Sequence, residues 1–254
     1  MRKYLGPSLV ALAATMAMND AHAQPSTRWP IHSTDRPQPR VVKPPANQWT
    51  IAPPADAVVL FDGNDLSKWK KDDERAAGWK IENGYMEVIP GAGGITTRDA
   101  FGDAQLHVEW AAPLPAEGES QDRGNSGVFL MGRYEVQVLD SYNNVTYPDG
   151  QAAAVYGQFP PLVNASRPPG EWQTYDIIFH RPRFDAAGKV TAPARMTVLH
   201  NGILVQDNVV LSGPTAHQRR PPYEKHADRL PISLQDHNTR VRYRNIWIRD
   251  LEHP

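Results

Sequence analysis

Short stretches in which apolar and polar residues alternate dominate the chain from about residue 56 onward. Leu106, Val108 and Trp110 would share one face of a strand, and the polar residues between them the other. Turn signals such as Asn83-Gly84 and Asn201-Gly202 separate these stretches, and no segment keeps a 3.6-residue apolar period. The pattern predicts an all-β fold, an antiparallel β-sandwich or jelly roll. The predicted strands are 58–61, 79–81, 85–89, 105–110, 128–131, 135–139, 174–179, 196–199, 203–210 and 242–248.

Three connections between the predicted strands are too long to be simple turns, namely 111–124, 141–171 and 211–231. Long ordered loops in a compact domain usually carry function, so we expect them to lie over the concave face of the sandwich. The second loop contains Tyr147, Tyr156 and Phe159. Aromatic side chains of this kind either stack on sugar rings or pack the loop onto the sandwich.

The N-terminal residues have the composition of an export signal. Arg2 and Lys3 precede an apolar run over 9–18 that is too short to span a bilayer, and Ala21-His22-Ala23 fits the cleavage rule. We therefore predict a signal peptide over 1–23, cleavage near Ala23–Gln24, and a secreted or periplasmic protein without a membrane anchor.

Proline density separates the next segment from the domain that follows. Residues 24–54 contain eight prolines, and proline lacks a backbone donor. We predict that this segment, here called the N-terminal arm, is an extended arm or linker that builds neither a strand ladder nor a helix. The predicted jelly-roll domain comprises residues 55–254.

Composition excludes several classes of function. A formal net charge of −1 leaves no electrostatic footprint for nucleic acid. The chain has no cysteine, which excludes disulfides, thiol catalysis and cysteine-based metal sites. Its histidines are scattered without the spacing of a ligand pair, so there is no strong metal signature.

The most informative stretch is Glu135 to Asp140. On an alternating strand, Glu135 and Gln137 project from one face, and a β-bulge after Gln137 would bring Asp140 to the same face. The spacing resembles the catalytic strand of bent-sandwich β-glucanases, which however carry acids at all three positions. A retaining glycosidase needs two carboxylates about 5–5.5 Å apart, a role open to Glu135 and Asp140.

Two further segments are candidates for the same site. Asn125-Ser126-Gly127 comes just before the strand at 128–131, and a glycine there lets a ligand or another backbone approach closely. Gln235-Asp236-His237 precedes the last strand. A histidine next to a carboxylate is a candidate general base or metal ligand.

Seven short motifs follow one another along the chain. They are Leu60-Phe61-Asp62-Gly63, Trp79-Lys80-Ile81-Glu82-Asn83-Gly84, Asn125-Ser126-Gly127-Val128-Phe129, Tyr134-Glu135-Val136-Gln137-Val138-Leu139-Asp140, Tyr156-Gly157, Pro169-Gly170-Glu171-Trp172 and Leu234-Gln235-Asp236-His237. In this order they resemble the 3-keto-disaccharide hydrolase domain family over about residues 56 to 252. The resemblance implies an exported, concanavalin-like jelly roll that acts on glycosides oxidised to a ketone at C3. Asn238 stands where the family often has glycine, and both residues tolerate a left-handed turn.

The chemistry implied by the resemblance suggests a role for each candidate. A C3 ketone acidifies the hydrogen at C2, so a base can form an enolate and the C1 substituent then leaves. We assign Glu135 as base or acid and His237 as its partner. Arg244 or Arg98, with a bound divalent cation as a further candidate, would stabilise the enolate. The residues expected to contact substrate are Arg98, Glu109, Asn125, Gln137, Asp140, Tyr156 and Gln235.

Three other functions stay open at this point. The chain could be a lectin-like module that binds glycan without catalysis, because fold does not decide function. It could be a conventional retaining β-glycosidase that uses Glu135 and Asp140. It could also have a structural role in which the N-terminal arm docks a partner.

Overall fold

The computed structural model describes residues 25, 28–46 and 50–252. The predicted signal peptide, 1–23, lies outside the described residues. In the described ranges no helix has the length and apolar character needed to cross a membrane.

Strands and turns make up nearly all of the regular structure in the described ranges. Two short 3₁₀ turns lie at Ser120–Asp122 and Pro148–Gly150. The strands are β1 Arg40–Val41, β2 Val58–Phe61, β3 Trp69–Lys70, β4 Lys80–Glu82, β5 Tyr85–Glu87, β6 Ile95–Phe101, β7 Ala104–Ala111, β8 Ser126–Leu130, β9 Tyr134–Val138, β10 Val163–Asn164, β11 Gln173–His180, β12 Arg183–Phe184, β13 Val190–Ala192, β14 Arg195–His200, β15 Ile203–Val210, β16 Leu230–Leu234 and β17 Arg242–Asp250.

Two antiparallel sheets form the body of the molecule. The eight-stranded sheet has the order β15-β14-β11-β7-β17-β5-β4, with β2 paired to β17, and the five-stranded sheet has the order β3-β6-β16-β8-β9. One core cluster contains most of the buried apolar side chains of both sheets. The predicted all-β class, an antiparallel jelly-roll sandwich, is confirmed.

Tyrosine hydroxyls join the two sheets within this core. Tyr175 of β11 donates to the backbone carbonyl of Gln137 at 2.7 Å, and Tyr243 of β17 donates to the Ser126 Oγ at 2.7 Å. Both tyrosines are fully buried. Because a buried hydroxyl needs a partner, these bonds fix where β8 and β9 lie against the large sheet.

Each of the ten predicted strands corresponds to an observed one, and two principal strands were not predicted. The sequence of β6 is rich in threonine and charge, and β16 contains Pro231. The β16–β6 register shifts between Pro231 and Ser233, which is the kind of irregularity at which a sheet tolerates proline. Both predicted hairpins are present, with positive φ at Asn83-Gly84 and Asn201-Gly202.

The bulge predicted between Gln137 and Asp140 is absent from the β8–β9 ladder. The two strands pair without a shift from Leu130–Tyr134 to Ser126–Val138, where β9 ends. Asp140 lies beyond the ladder and its backbone N–H donates to the carbonyl of Arg123 at 3.1 Å.

The N-terminal arm contributes a strand, so the prediction that it builds no ladder is wrong at Arg40–Val41. These residues form β1, which pairs in parallel with β10, and the Val42 N–H donates to the carbonyl of Asn164 at 2.9 Å. The prolines flank this dipeptide rather than occupy it, which leaves its backbone donors free to pair. The domain boundaries given above stay predictions.

Candidate functional site

The outer edge of β9 is covered by the loop over 141–171. The Gln137 N–H donates to the carbonyl of Ala154 at 3.0 Å, and the Ala153 N–H donates to the carbonyl of Gln137 at 2.9 Å. One residue pair along, the Tyr156 N–H donates to the carbonyl of Glu135 at 3.3 Å. The loop thus acts as a further strand, satisfies the edge of the sheet and brings Tyr156 beside Glu135.

A pocket of about 300 Å³ opens on the five-stranded sheet at this edge. It brings together six of the ten predicted site residues, drawn from β9, from the segments around β8 and β16, and from the 141–171 loop. Its lining consists of Asn125, Phe129, Glu135, Gln137, Tyr156, Thr215, Ala216, His217, Gln235 and His237.

Glu135 carries the only carboxyl group among these lining residues. Its side chain is 6% exposed, and no described residue donates a hydrogen bond to its carboxyl. Phe129 lies directly opposite on β8. A Cβ at Gly127 would clash with the Glu135 Oε1, so the absence of a side chain there makes room for the carboxyl. Burial without a partner raises the pKa of Glu135 to about 8.

Amide side chains hold the wall of the pocket next to Glu135. The Gln137 Nε2 donates to the Asn125 Oδ1 at 3.2 Å and to the Gln121 Oε1 at 3.3 Å. The Asn125 Nδ2 in turn donates to the carbonyl of Gln121 at 2.7 Å. Gln137 and Asn125 are both buried, so this network sets their orientation before any ligand binds.

Two imidazoles line the pocket. Tyr156 Oη lies 3.2 Å from His217 Nδ1, and His237 lies in the turn after β16. Both histidines are exposed. Asp236 shapes that turn because its carboxylate accepts hydrogen bonds from the N–H groups of Gly93 and Asn238. Asn238 has a φ of 60°, so this position does adopt a left-handed turn.

The structure places Asp140 away from the pocket lining. Its Oδ2 accepts from the Arg123 Nε at 2.7 Å and its Oδ1 from the Tyr142 N–H at 3.1 Å. Burial raises the pKa of Asp140, although the Arg123 guanidinium opposes this rise. Asp140 therefore binds the end of β9 to the 111–124 loop, and it does not join Glu135 as a second carboxylate in the pocket.

Glu109 and Arg244 also lie elsewhere, because β7 and β17 belong to the eight-stranded sheet. The Arg244 Nε donates to the Glu109 Oε2 at 2.6 Å, and the guanidinium stacks 4.1 Å over Trp172. Arg98, on β6, is exposed and donates to the carbonyl of Ser67 at 3.0 Å. The structure thus corrects the placement of all three, which do not line the pocket.

No group of three or more histidine, aspartate or glutamate side chains in the described ranges is arranged to hold a metal ion. The pocket itself offers one carboxyl, two imidazoles and several amides. The divalent cation considered above stays a hypothesis.

Four pocket residues were not predicted, and only one had a signal in the sequence. Phe129 follows Gly127 by two positions, so strand alternation would have put it on the same face. Thr215, Ala216 and His217 belong to the 211–231 loop, in which no spacing or motif indicates which residues turn inward.

A family model of 3-keto-alpha-glucoside-1,2-lyase-like domains matches residues 56–249. The 3-keto-disaccharide hydrolase of Bacteroides thetaiotaomicron is 26% identical over 163 residues, which is 50% of this chain and 55% of that protein. The chain thus aligns with about half the length of this curated relative.

Solved structures show the same fold. A Parabacteroides distasonis protein assigned as a glycosyl hydrolase has a TM-score of 0.78 and 44% identity, over 85% of this chain and 93% of that one. A second protein from the same organism with the same assignment has a TM-score of 0.57 at 18% identity, over 78% and 94% of the two chains. The second likeness concerns the fold alone.

The buried carboxyl leads to a prediction about stability. Since the folded pKa of Glu135 is raised, its proton is retained in the folded protein but lost in the unfolded chain between about pH 4.5 and pH 8. Over that range the free energy of unfolding of the wild type therefore falls by up to about 1.4 kcal/mol for each unit by which the pH rises. Glu135→Gln should therefore be more stable than the wild type at pH 8, with the difference shrinking toward pH 4.

Urea unfolding at several pH values measures this difference. The matched control is Glu224→Gln, which removes an exposed carboxyl from a loop and should leave the pH dependence unchanged. Parallel curves for the wild type and Glu135→Gln would contradict the assignment of a raised pKa.

Proposed function

The chain belongs to the family of 3-keto-alpha-glucoside-1,2-lyase-like domains, and we propose that it cleaves the glycosidic bond of 3-keto-glycosides such as 3-keto-disaccharides. The match over residues 56–249 and the name of the Bacteroides relative support an enzyme of the glycoside-hydrolase type. The observation that carries the proposal is a nearly buried, unpaired Glu135 in a polar pocket that lacks a second carboxylate.

The proposed reaction follows from the ketone at C3. A base removes the proton from C2, and the electron pair of the C2–H bond forms an enolate with the C3 carbonyl. The enolate then expels the C1 oxygen, which takes up a proton and departs as the aglycone alcohol. Addition of water across the resulting C1–C2 double bond gives the 3-keto sugar, for net hydrolysis. The route requires a base, an acid and donors near the C3 oxygen.

Glu135 suits the acid part of this scheme at neutral pH. With a pKa of about 8 its carboxyl is mostly protonated at pH 7, and it can donate to the C3 oxygen or protonate the leaving group. His237, at the opening of the pocket, is the candidate base. His217 is a second candidate because it lines the same pocket.

In this proposal, amide side chains stabilise the enolate, a role that the sequence had suggested for Arg98 or Arg244. The pocket lining includes the side chains of Asn125, Gln137 and Gln235. These groups can bind sugar hydroxyls and the developing oxyanion without placing a cation beside Glu135. Arg98 and Arg244 are not retained in the proposal, and no step depends on a metal ion.

The rival functions have less support. A retaining glycosidase would need a second carboxylate close to Glu135, whereas Asp140 is bound by Arg123. A lectin-like module would gain nothing from burying a carboxyl and thereby keeping it protonated. An exposed carboxylate would bind sugar hydroxyls equally well without the free-energy cost of burial.

We predict that the protein turns over 3-keto-glucosides and leaves the matched unoxidised glucosides intact. Glu135→Gln should lower kcat by about 10²-fold or more, because the amide can neither give nor take the proton. Aglycone release from both substrate series measures this, with and without a chelator to test the divalent cation. Cleavage at the wild-type rate by Glu135→Gln would remove Glu135 from the mechanism, and binding without turnover would favour a lectin.

The C2 proton provides an independent measurement. If its removal limits the rate, a substrate deuterated at C2 should react more slowly than the protiated one, with a primary isotope effect of about 2 or more on kcat/KM. Product formed in D₂O should carry deuterium at C2. An absence of both effects would indicate direct displacement at C1 in place of elimination.

We also propose that the protein is exported, on the basis of the basic and apolar pattern over 1–23. Expression in a bacterial host should yield a periplasmic protein whose intact mass corresponds to a first residue of Gln24. Retention in the cytoplasm with an uncleaved N-terminus would contradict this proposal.

A further inference from the structure

The N-terminal arm lies upstream of the residues that the family model matches, yet it packs against the loop that builds the pocket. The Gln38 Nε2 donates to the carbonyl of Thr146 at 2.8 Å, and the Arg167 Nη2 donates to the carbonyl of Pro45 at 2.6 Å. Together with the β1–β10 ladder, these hydrogen bonds join the arm to the 141–171 loop at several points.

His32 of the arm lies against residues that line the pocket. Its backbone N–H donates to the Asp149 Oδ2 at 3.2 Å, and its ring stacks on Tyr147 with the two centroids 4.0 Å apart. The same ring lies 5.0 Å from that of Tyr156 and 5.2 Å from that of His217. One imidazole therefore touches three aromatic rings, two of which line the pocket.

Hydrogen bonds connect these rings in series. Tyr147 Oη and Tyr156 Oη lie 2.8 Å apart, and Tyr156 Oη lies 3.2 Å from His217 Nδ1. Tyr147 itself does not line the pocket. Its ring stacks on His32 and its hydroxyl meets that of Tyr156, so it connects the arm to the pocket wall.

Asp149 holds the backbone of His32 through the hydrogen bond to its N–H group. Its side chain is 1% exposed, and its residue belongs to the 3₁₀ turn Pro148–Gly150 that follows Tyr147. Burial lowers the pKa of His32, which keeps its ring neutral and suited to stacking on a tyrosine. His32 itself has a φ of 60°, a conformation in which asparagine and histidine are favoured over most residues.

We propose that His32 is a positioning residue of the pocket, through which the N-terminal arm holds Tyr147 and Tyr156 and thereby orients His217 toward the substrate. The inference rests on the proposed function for its kinetic test, and on the geometry alone for its spectroscopic test. It also gives the arm a role within its own chain, where the sequence had left open the docking of a partner.

Two substitutions separate the ring of His32 from its backbone conformation. His32→Asn keeps a residue that tolerates positive φ but removes the ring, whereas His32→Phe keeps a ring that can stack on Tyr147 at a less favourable φ. We expect His32→Asn to lower kcat about tenfold or more with KM less affected, and His32→Phe to recover most of the rate. Thermal melts of both variants should show that His32→Asn is still folded under the assay conditions, whereas a merely structural role would lower kcat only in step with the fraction unfolded.

Gln38→Ala is the matched control, since it removes arm–loop hydrogen bonds away from the pocket wall. It should lower the melting temperature without lowering kcat. Tyr147→Phe tests the next link, because it keeps the stack and removes the hydroxyl that meets Tyr156. It should reproduce the loss of kcat seen in His32→Asn.

The imidazole resonances of His217 give a readout that does not need turnover. In NMR spectra of the full chain they should shift in His32→Asn and stay unchanged in Gln38→Ala. If the wild type lacks activity on 3-keto-glycosides, the proposed function fails and this shift still decides the inference. Wild-type kcat in His32→Asn, a loss of kcat in Gln38→Ala equal to that in His32→Asn, or unmoved His217 resonances would each overturn it.

Discussion

The burial of one carboxyl group, that of Glu135, is the constraint on which the rest of the site depends. A nearly buried carboxylate without a partner is costly, so the folded protein keeps the proton and the pKa rises to about 8. The neighbours fit this requirement. Gly127 leaves room for the carboxyl, Phe129 lies opposite Glu135 on β8, and none of the described residues that line the pocket is a lysine or an arginine.

Holding such a group requires a rigid support, which the two sheets and the loops supply. Buried tyrosine hydroxyls join β8 and β9 to the large sheet, and the 141–171 loop satisfies the free edge of β9. That loop is in turn held by the N-terminal arm. The free energy that packing contributes elsewhere thus offsets the cost of an unpaired acid at the site, and the proposed reaction would use that protonated carboxyl.

The other acidic candidates show that partners, more than residue type, decide what a carboxylate does. Asp140 is five positions from Glu135, but its ion pair with Arg123 gives it a structural role at the end of β9. Glu109 is even less exposed than Glu135. Burial alone would raise the pKa of Glu109, but its partners on the opposite sheet, His107, Asn245 and Arg244, outweigh that effect and lower it. Of these three acids, Glu135 alone lines the pocket, and it is the one whose carboxyl has no partner.

Alternation, turn residues and the local order of motifs are properties of neighbouring positions, so the fold class, the family and six pocket residues could be predicted from the chain alone. The same alternation put Glu135 and Gln137 on one strand face. Nothing in the sequence indicated that Arg244 and Glu109 would pair on the other sheet, that Pro231 would lie within a principal strand, or that His217 and His32 would meet beside Tyr156. Those outcomes depend on contacts between residues far apart in the chain, which form only when the chain packs into its three-dimensional structure.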